Sequence, residues 1–397
     1  MSVLLLRWAG LTVLLMVGTA LHRPAQAETI QGFPQNSGQA GLVAITVQGD
    51  PLIHSGILIS PNVALTGKRW FSYSTVPNTV TVTHGRRQGQ PGTTMTAADV
   101  WLHPQLPLAL VRVGGTGFSG APTFSFSNSV PAANTNLVCM GFSAGGDVKR
   151  AELRVQGTAA NGYVVVSRAR TDMILNDGSG MPCFTESGGF PSNTITGIAV
   201  STSGADAQSW QHTQVGGPSF KDWIPNMIHL STVRSQRLSR AFSLYTKPDP
   251  NNPNLKMCLD IPGSVSANTP VNQHACHYGP NQLFYFHQFN DSRNPVVRHY
   301  TIVHQNSGMC LDIPNGSTAG GVKVQQYPCN QGLNQDWEQF IYEPQPPGGL
   351  KFVQKRSNLC LSAPAPPNST TNSLQVEQNG CLAANNNLHQ RWFIRWK

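Results

Sequence analysis

The stretch from Ser55 to Trp70 reads SGILISPNVALTGKRW. An apolar, β-branched run leads into a Ser60-Pro61-Asn62 turn. A second short strand, Val63 to Thr66, ends in Gly67-Lys68-Arg69-Trp70. Strand, turn, strand and a polar tip is how a β-scaffold presents a working residue. This tip offers two adjacent cations and an aromatic ring. Far downstream, MCLDIP occurs at 257–262 and again at 309–314, and LCLSAP follows at 359–364. Each is followed by a second cysteine: Cys258 then Cys276, Cys310 then Cys329, Cys360 then Cys381. Each repeat closes on Gln-x-aromatic, at Gln282-Leu283-Phe284, Gln335-Asp336-Trp337 and Gln390-Arg391-Trp392.

These residues need a scaffold, and the rest of the chain predicts what it is. Short apolar strands separated by Gly, Pro, Asn and Ser turns run throughout, as in LVAITV (42–47), TVTVTH (79–84) and TGIAVS (196–201). Few windows show a helical period, which argues for an all-β protein of sandwiches or barrels. FKDWIPNMI (220–228) is the exception and reads as a terminal helix or turn. Three units of about fifty residues, each with its own cysteine pair, predict a pseudo-threefold all-β domain. A bridge closing a loop of some twenty residues contributes about 3 kcal/mol in the chain-entropy model.

Residues 1–27 have the pattern of a secretory signal: Arg7, an apolar run from Leu11 to Leu21, and Pro24-Ala25-Gln26-Ala27 with small-x-small spacing. An exported or extracytoplasmic chain is therefore expected, starting at Glu28, with no membrane span. The eight cysteines then read as disulfides, not as metal ligands. The net charge of +9 is spread along the chain and forms no nucleic-acid footprint. Arg234, Arg237 and Arg240 form a small basic run in a polar segment. It reads as a solvated linker, with the domain boundary at 231–242.

Three Gln-x-Trp-type repeats with paired cysteines resemble the ricin B-type lectins, a β-trefoil family, over about 243–397. On its own Gln-x-Trp is a fold signature: the ring is core and the Gln braces the repeat. The resemblance implies more for a sugar-binding repeat. Such a repeat carries an Asp two residues after its first cysteine, a Gln or Asn and an aromatic just before the second, and an Asn before the closing Gln. A carboxylate accepts hydrogen bonds from neighbouring sugar hydroxyls, a flat ring covers the C–H face, and amides serve the remaining hydroxyls. The middle repeat matches throughout, with Asp312, Gln325, Tyr327, Asn334 and Gln335. The first matches with substitutions: Asp260, Asn272, His274, Asn281 and Gln282, with His274 where the ring belongs. The third departs, with Ser362, Asn379 and His389 at the key positions. The resemblance thus implies a carbohydrate partner, galactose, xylose or a related glycan, held by two repeats and presented by glycoproteins or a cell surface.

The opening stretch is similar to the trypsin-like serine protease pattern CSGTLISPRWVLTAAHC, in phase from His54 to Trp70. The two cysteines of that pattern fall at His54 and Trp70, so both halves of one disulfide are replaced together. Arg69 occupies the position of the general base, and an Arg does not accept a proton near neutral pH. In HPQLPLALVRV (103–113), Pro107 occupies the position of the orienting Asp. The nucleophile pattern has two candidates, Ser179 in DGSGMP and Ser187 in TESGGF. Ser179 is preferred because it leaves room for a hairpin before TGIAVS. Gly178 and Asp177 then stand where the family has an Asp and an oxyanion-hole Gly, and Ile30 resembles the family's activated terminus. The resemblance also implies a Cys139–Cys183 bridge, since opposite two-residue shifts cancel on antiparallel strands.

The expectation is a trypsin-like double β-barrel over 28–230, lacking the catalytic His and Asp, followed by a β-trefoil lectin over 243–397. No cofactor and no metal are expected. The alternative is a serine endopeptidase targeted to glycans by its lectin, with Lys68 and Ser179 as a Ser–Lys dyad.

Overall fold

The computed structural model describes residues 41–85, 92–119, 124–142, 146, 148–159, 162–167, 180–187, 190–203, 209–215, 218–232, 236–247, 252, 254–263, 265–290, 298–341, 349–364, 370–382 and 388–397. The signal-like segment 1–27, Ile30, Asp177, Gly178, Ser179 and Arg234 lie outside them. Among the described residues no helix is long and apolar enough to cross a membrane.

The fold is all-β. Six strands, β1 (Leu42–Val47), β2 (His54–Ser60), β3 (Val63–Gly67), β4 (Val80–His84), β5 (Thr93–Leu102) and β6 (Leu108–Val113), close a barrel in the order β1-β2-β3-β6-β5-β4. Closure leaves no edge to aggregate. Inward side chains such as Val43, Ile45, Leu58, Val82, Val100 and Val111 form its core. A seven-stranded sheet follows: β7 (Ser125–Phe126), β8 (Asn136–Phe142), β9 (Val148–Ala159), β10 (Gly162–Ser167), β11 (Pro182–Ser187), β12 (Phe190–Ser203) and β13 (Ser209–Gln214). Its order is β11-β8-β9-β10-β13-β12-β7, and β11 also pairs with β12, which brings six of the strands round into a ring. Cys139 lies opposite Cys183 in the β8–β11 register and bonds to it, with 4.1 Å between Cα atoms. The two expected shifts do cancel.

Helix α1 (Pro218–Thr232) contains the segment expected as a terminal helix and carries Pro225 inside it. It buries Phe220, Trp223 and Met227. Trp223 meets the His103 ring edge-on at 4.8 Å.

The repeats share one core, in which Leu259, Leu311 and Leu361 take equivalent places with Phe284, Trp337 and Trp392. Each repeat pairs its first-cysteine strand with a second short strand: Met257–Asp260 with Asn272–Ala275, Cys310–Asp312 with Gln325–Tyr327, and Cys360–Ser362 with Glu377–Asn379. Bridges form within repeats, as Cys258–Cys276, Cys310–Cys329 and Cys360–Cys381.

The solvated reading of the basic run does not hold for Arg237. Its side chain is buried, donates to the Val100 carbonyl at 3.1 Å and the Ser239 carbonyl at 2.8 Å, and lies 3.6 Å from the Tyr285 ring centroid. A guanidinium tolerates this because a ring face and carbonyls replace its water. Arg240 is exposed. Around Arg237 the first barrel and the repeats share buried polar groups. Arg112 of β6 holds Asp99 of β5 through Nε at 3.1 Å and Nη2 at 2.5 Å. His287 Nε2 stands 4.0 Å from the other Asp99 oxygen, and its ring stacks on Trp101 at 5.5 Å. Gln305 donates to the Leu102 carbonyl at 2.8 Å.

Candidate functional site

The middle repeat builds the most complete site. Gln335 first fixes the local loop: its Oε1 accepts the Asn330 N–H at 2.9 Å, and its Nε2 donates to the Pro328 carbonyl at 3.0 Å. The same Nε2 donates to Asp312 Oδ2 at 2.9 Å, so the brace also orients the carboxylate. Asn334 adds a 2.6 Å bond to Oδ2. Gln325, directly opposite Asp312 in the strand register, donates to Oδ1 at 2.8 Å. Asp312 is therefore buried and held by three amides. Burial pushes its pKa up, and the Gln325 and Gln335 bonds pull it back. Tyr327 stands two residues along from Gln325 on the same face and is 38% exposed, the state of a ring available to a ligand. Asp312, Gln325, Tyr327 and Asn334 line one polar cleft of about 390 Å³ with Asn315, Asn330 and Arg356.

The first repeat repeats this geometry in part. Asp260 Oδ2 accepts from Asn281 at 2.6 Å and Gln282 at 3.0 Å. Asn272 lies opposite Asp260 in register, but no hydrogen bond joins them, and its Oδ1 is buried without a partner. Burial again raises the Asp260 pKa, against the Gln282 bond and the charges of His274 and His277. His274 is half-buried, at the position of Tyr327, with Nδ1 3.2 Å from the Ala275 carbonyl.

His277 was not singled out in the sequence. Its Nε2 lies 3.7 Å from Asp260 Oδ2. Its place directly after Cys276 matches Asn330 after Cys329, and both cap the same turn. His277 Nδ1 accepts the Gly279 N–H at 3.0 Å, as Asn330 Oδ1 accepts the Gly332 N–H at 2.8 Å. Asp260, His274 and His277 place three metal-type donor atoms within 4.8 Å of one another. With Nδ1 accepting a backbone N–H, a neutral His277 carries its proton on Nε2. That tautomer suits a hydrogen bond toward Asp260 better than a metal.

The third repeat keeps the brace and loses the ligand groups. Gln390 donates to Ser362 Oγ at 2.8 Å and the Gly380 carbonyl at 2.9 Å. Glu377, opposite Ser362, is held by Lys323 at 2.5 Å and Asn379 at 2.7 Å. Those polar groups satisfy one another.

At the tip of β3 the structure brings together the positions that the protease resemblance singled out. The Lys68 N–H donates to the Pro107 carbonyl at 2.8 Å, so Arg69 and Pro107 are neighbours in space. Both are exposed. The Arg69 guanidinium lies 5.1 Å from the Trp70 ring centroid. Lys68 Nζ donates to the His103 carbonyl at 2.9 Å and sits 5.5 Å from the Tyr73 ring centroid; burial lowers its pKa. Ser179 is outside the described residues, but Gly180 packs hard against this tip. A Cβ on Gly180 would lie 2.0 Å from the Ser55 carbonyl oxygen and 2.3 Å from Thr66 Oγ1, and its φ is +87°. Only glycine fits there. Ser187 ends β11, at the β11–β12 hairpin.

Residues 280–364 match a family model described as Ricin-type beta-trefoil lectin domain-like. The match runs from the end of the first repeat through the second and into the third. No curated protein matches the chain. Among solved structures, the designed threefold-symmetric protein ThreeFoil is 25% identical, covering 39% of this chain and 96% of its own, with a TM-score of 0.31. Neuropsin, a serine protease expressed in the limbic system of mouse brain, is 16% identical over 48% of this chain and 95% of its own, with a TM-score of 0.38. The inactive form of Rv3671c from M. tuberculosis H37Rv is 17% identical over 45% of this chain and 82% of its own, with a TM-score of 0.33. The repeats follow a closed six-stranded barrel and a second sheet, six of whose strands form a ring.

Proposed function

We propose that the protein is an exported carbohydrate-binding protein whose first and second trefoil repeats hold the sugar. In this reading the barrels carry no proteolytic activity. The observation that carries it is Asp312, fixed by Gln325, Asn334 and Gln335 beside an exposed Tyr327 in an open polar cleft. A carboxylate pre-oriented by three amides keeps acceptor capacity on Oδ1 for a sugar hydroxyl, and the adjacent ring covers an apolar sugar face without reorganisation. Asp260 with Asn281 and Gln282 supplies a second, less complete version. Four disulfides suit an oxidising compartment, which supports secretion. The ligands in view are galactose, xylose or related glycans on glycoproteins or cell surfaces.

The test is retention on immobilised galactose and xylose and binding across a broad glycan panel. Wild type should bind, Asp312→Asn should lose most of the signal, and the double Asp260→Asn, Asp312→Asn variant should lose all of it. Absence of wild-type binding across the panel would reject the proposal.

A further inference from the structure

The middle cleft holds one group that the carbohydrate reading does not use. Arg356 lines it, and the cleft's lining contains no other cation. The residue comes from the third repeat, on the turn that precedes Cys360, and reaches across to the site of the second. Its guanidinium lies along the Pro314–Gly316 turn. In that turn Asn315 and Gly316 both have positive φ, of 55° and 61°. A Cβ on Gly316 would stand 3.1 Å from Arg356 Cζ and Nη1, tighter than an ordinary contact. The guanidinium thus packs against Gly316 at the edge of the cleft.

Nothing structural accounts for a cation here. Arg356 is exposed, and no hydrogen bond or ion pair engages it among the described residues. It forms no ion pair with Asp312, whose oxygens are oriented by Gln325, Asn334 and Gln335. The corresponding position one repeat earlier shows the difference. Ser357 Oγ donates to Gln378 Oε1 at 2.8 Å, and the Leu359 N–H donates to Ser357 Oγ at 3.2 Å. In the middle repeat, Ser307 Oγ donates to Gln326 Oε1 at 2.7 Å, and the Met309 N–H donates to Ser307 Oγ at 3.2 Å. The two turns are equivalent, and Arg356 corresponds to Asn306, which is buried. The third-repeat turn thus replaces a buried amide with a cation facing the neighbouring cleft.

We infer that the middle cleft recognises an anionic glycan, in which the carboxylate of a uronic acid or a sulfate ester is taken by Arg356. The sugar ring would lie on Tyr327 with its hydroxyls on Asp312, so the inference rests on the carbohydrate reading of this site. A guanidinium presents a planar fork of donors that fits either anion bidentately. Asp312 and Arg356 at separate parts of one cleft would sort hydroxyls from the anion.

The experiment measures binding of the full chain to three probes: a neutral galactan, polygalacturonate and a sulfated galactan, each at low and near-physiological salt. Wild type should prefer one of the anionic probes to the neutral galactan by about tenfold, the scale of one charge-assisted hydrogen bond. Arg356→Gln should abolish that preference, bringing the anionic and neutral probes to equal affinity. Tyr327→Ala, at an exposed position outside the core, should weaken both. The two anionic probes tell carboxylate from sulfate. Equal affinity for neutral and anionic probes overturns the inference while leaving the lectin reading intact. An anionic preference that survives Arg356→Gln also overturns it, as attraction to the whole positive protein. Binding to none of the three probes in wild type overturns the inference, and the broad glycan panel then decides the carbohydrate reading separately.

Discussion

The imidazole of His54 stacks on the indole of Trp70, with ring centroids 4.4 Å apart and planes 17° from parallel. Asp50 Oδ2 holds the far side of the imidazole, 2.8 Å from Nε2. These are the two positions at which the trypsin-like pattern carries a cysteine pair. An aromatic stack therefore ties the start of β2 to the tip beyond β3 where that pattern has a covalent bridge.

If the stack supports the tip, its loss should show as coupled destabilisation. Trp70→Ala and His54→Ala should each lower stability by about 1–2 kcal/mol, with a coupling of about 1 kcal/mol between them. A double-mutant cycle in urea measures it, and additive single effects would mean that the rings do not cooperate.

The tip should not activate a nucleophile. Arg69 is no proton acceptor, and Lys68 Nζ is bonded to the His103 carbonyl. A fluorophosphonate serine-hydrolase probe should leave the purified protein unlabelled while trypsin labels fully. Labelling that vanishes in Ser179→Ala would reveal an active Ser–Lys dyad and a glycan-targeted hydrolase.

The buried Asp99–Arg112 ion pair of the first barrel, which faces His287 of the repeats, should be costly to halve. Removing the Asp99 carboxylate leaves Arg112 buried without its counter-charge, beside Arg237 and His287. Asp99→Ala should therefore cost about 3–5 kcal/mol. Asp99 and Arg112 replaced together by apolar residues of similar volume should recover most of it. Chemical unfolding of the three proteins decides the point.

Acid should destabilise the fold through two histidines. Burial pulls His287 down to about 4, with Asp99 opposing and Arg112 and Arg237 adding to the shift. Burial likewise pulls His304 down to about 4, against its Gln326 bond. The folded chain holds both neutral, while the unfolded chain takes up protons below its ordinary value of 6.5. Their stabilisation is complete above that value and is lost as pH falls toward 4. Asp260 and Asp312, raised by burial, act in the opposite sense on stability. Midpoints of urea unfolding from pH 7 to pH 4 should fall, and His287→Gln should flatten part of the slope.

Sugar binding should fail in acid for a separate reason. Hydroxyls need the ionised forms of Asp260 and Asp312, and both carboxyls protonate at a pH above the ordinary 3.8. Affinity for a neutral glycan should drop with a midpoint above that value, while near-UV circular dichroism at the same pH verifies that the fold persists. A midpoint at or below 3.8 would show that burial does not govern these groups.

Local spacing decided much of this protein. Asp312, Gln325, Asn334 and Gln335 lie within 24 residues of one another, and the hairpin register alone sets Asp312 opposite Gln325. The same holds for the three repeat disulfides, each closed by its own short loop, whereas the Cys139–Cys183 bridge, 44 residues apart, was legible only through the resemblance. Alternation of apolar residues and turns was enough for an all-β chain, because side chains on a strand repeat every two residues. The tertiary structure alone decided which charges are buried and which repeat serves which cleft. Arg237 sits in a polar run that reads as solvated, yet it packs against Val100 and Tyr285. Asp99 meets His287, and Arg356 of one repeat lines the cleft of another. No period in the sequence encodes such contacts. They form only once separate sheets are packed, and burial, which sets the state of each charge, is a property of that packing.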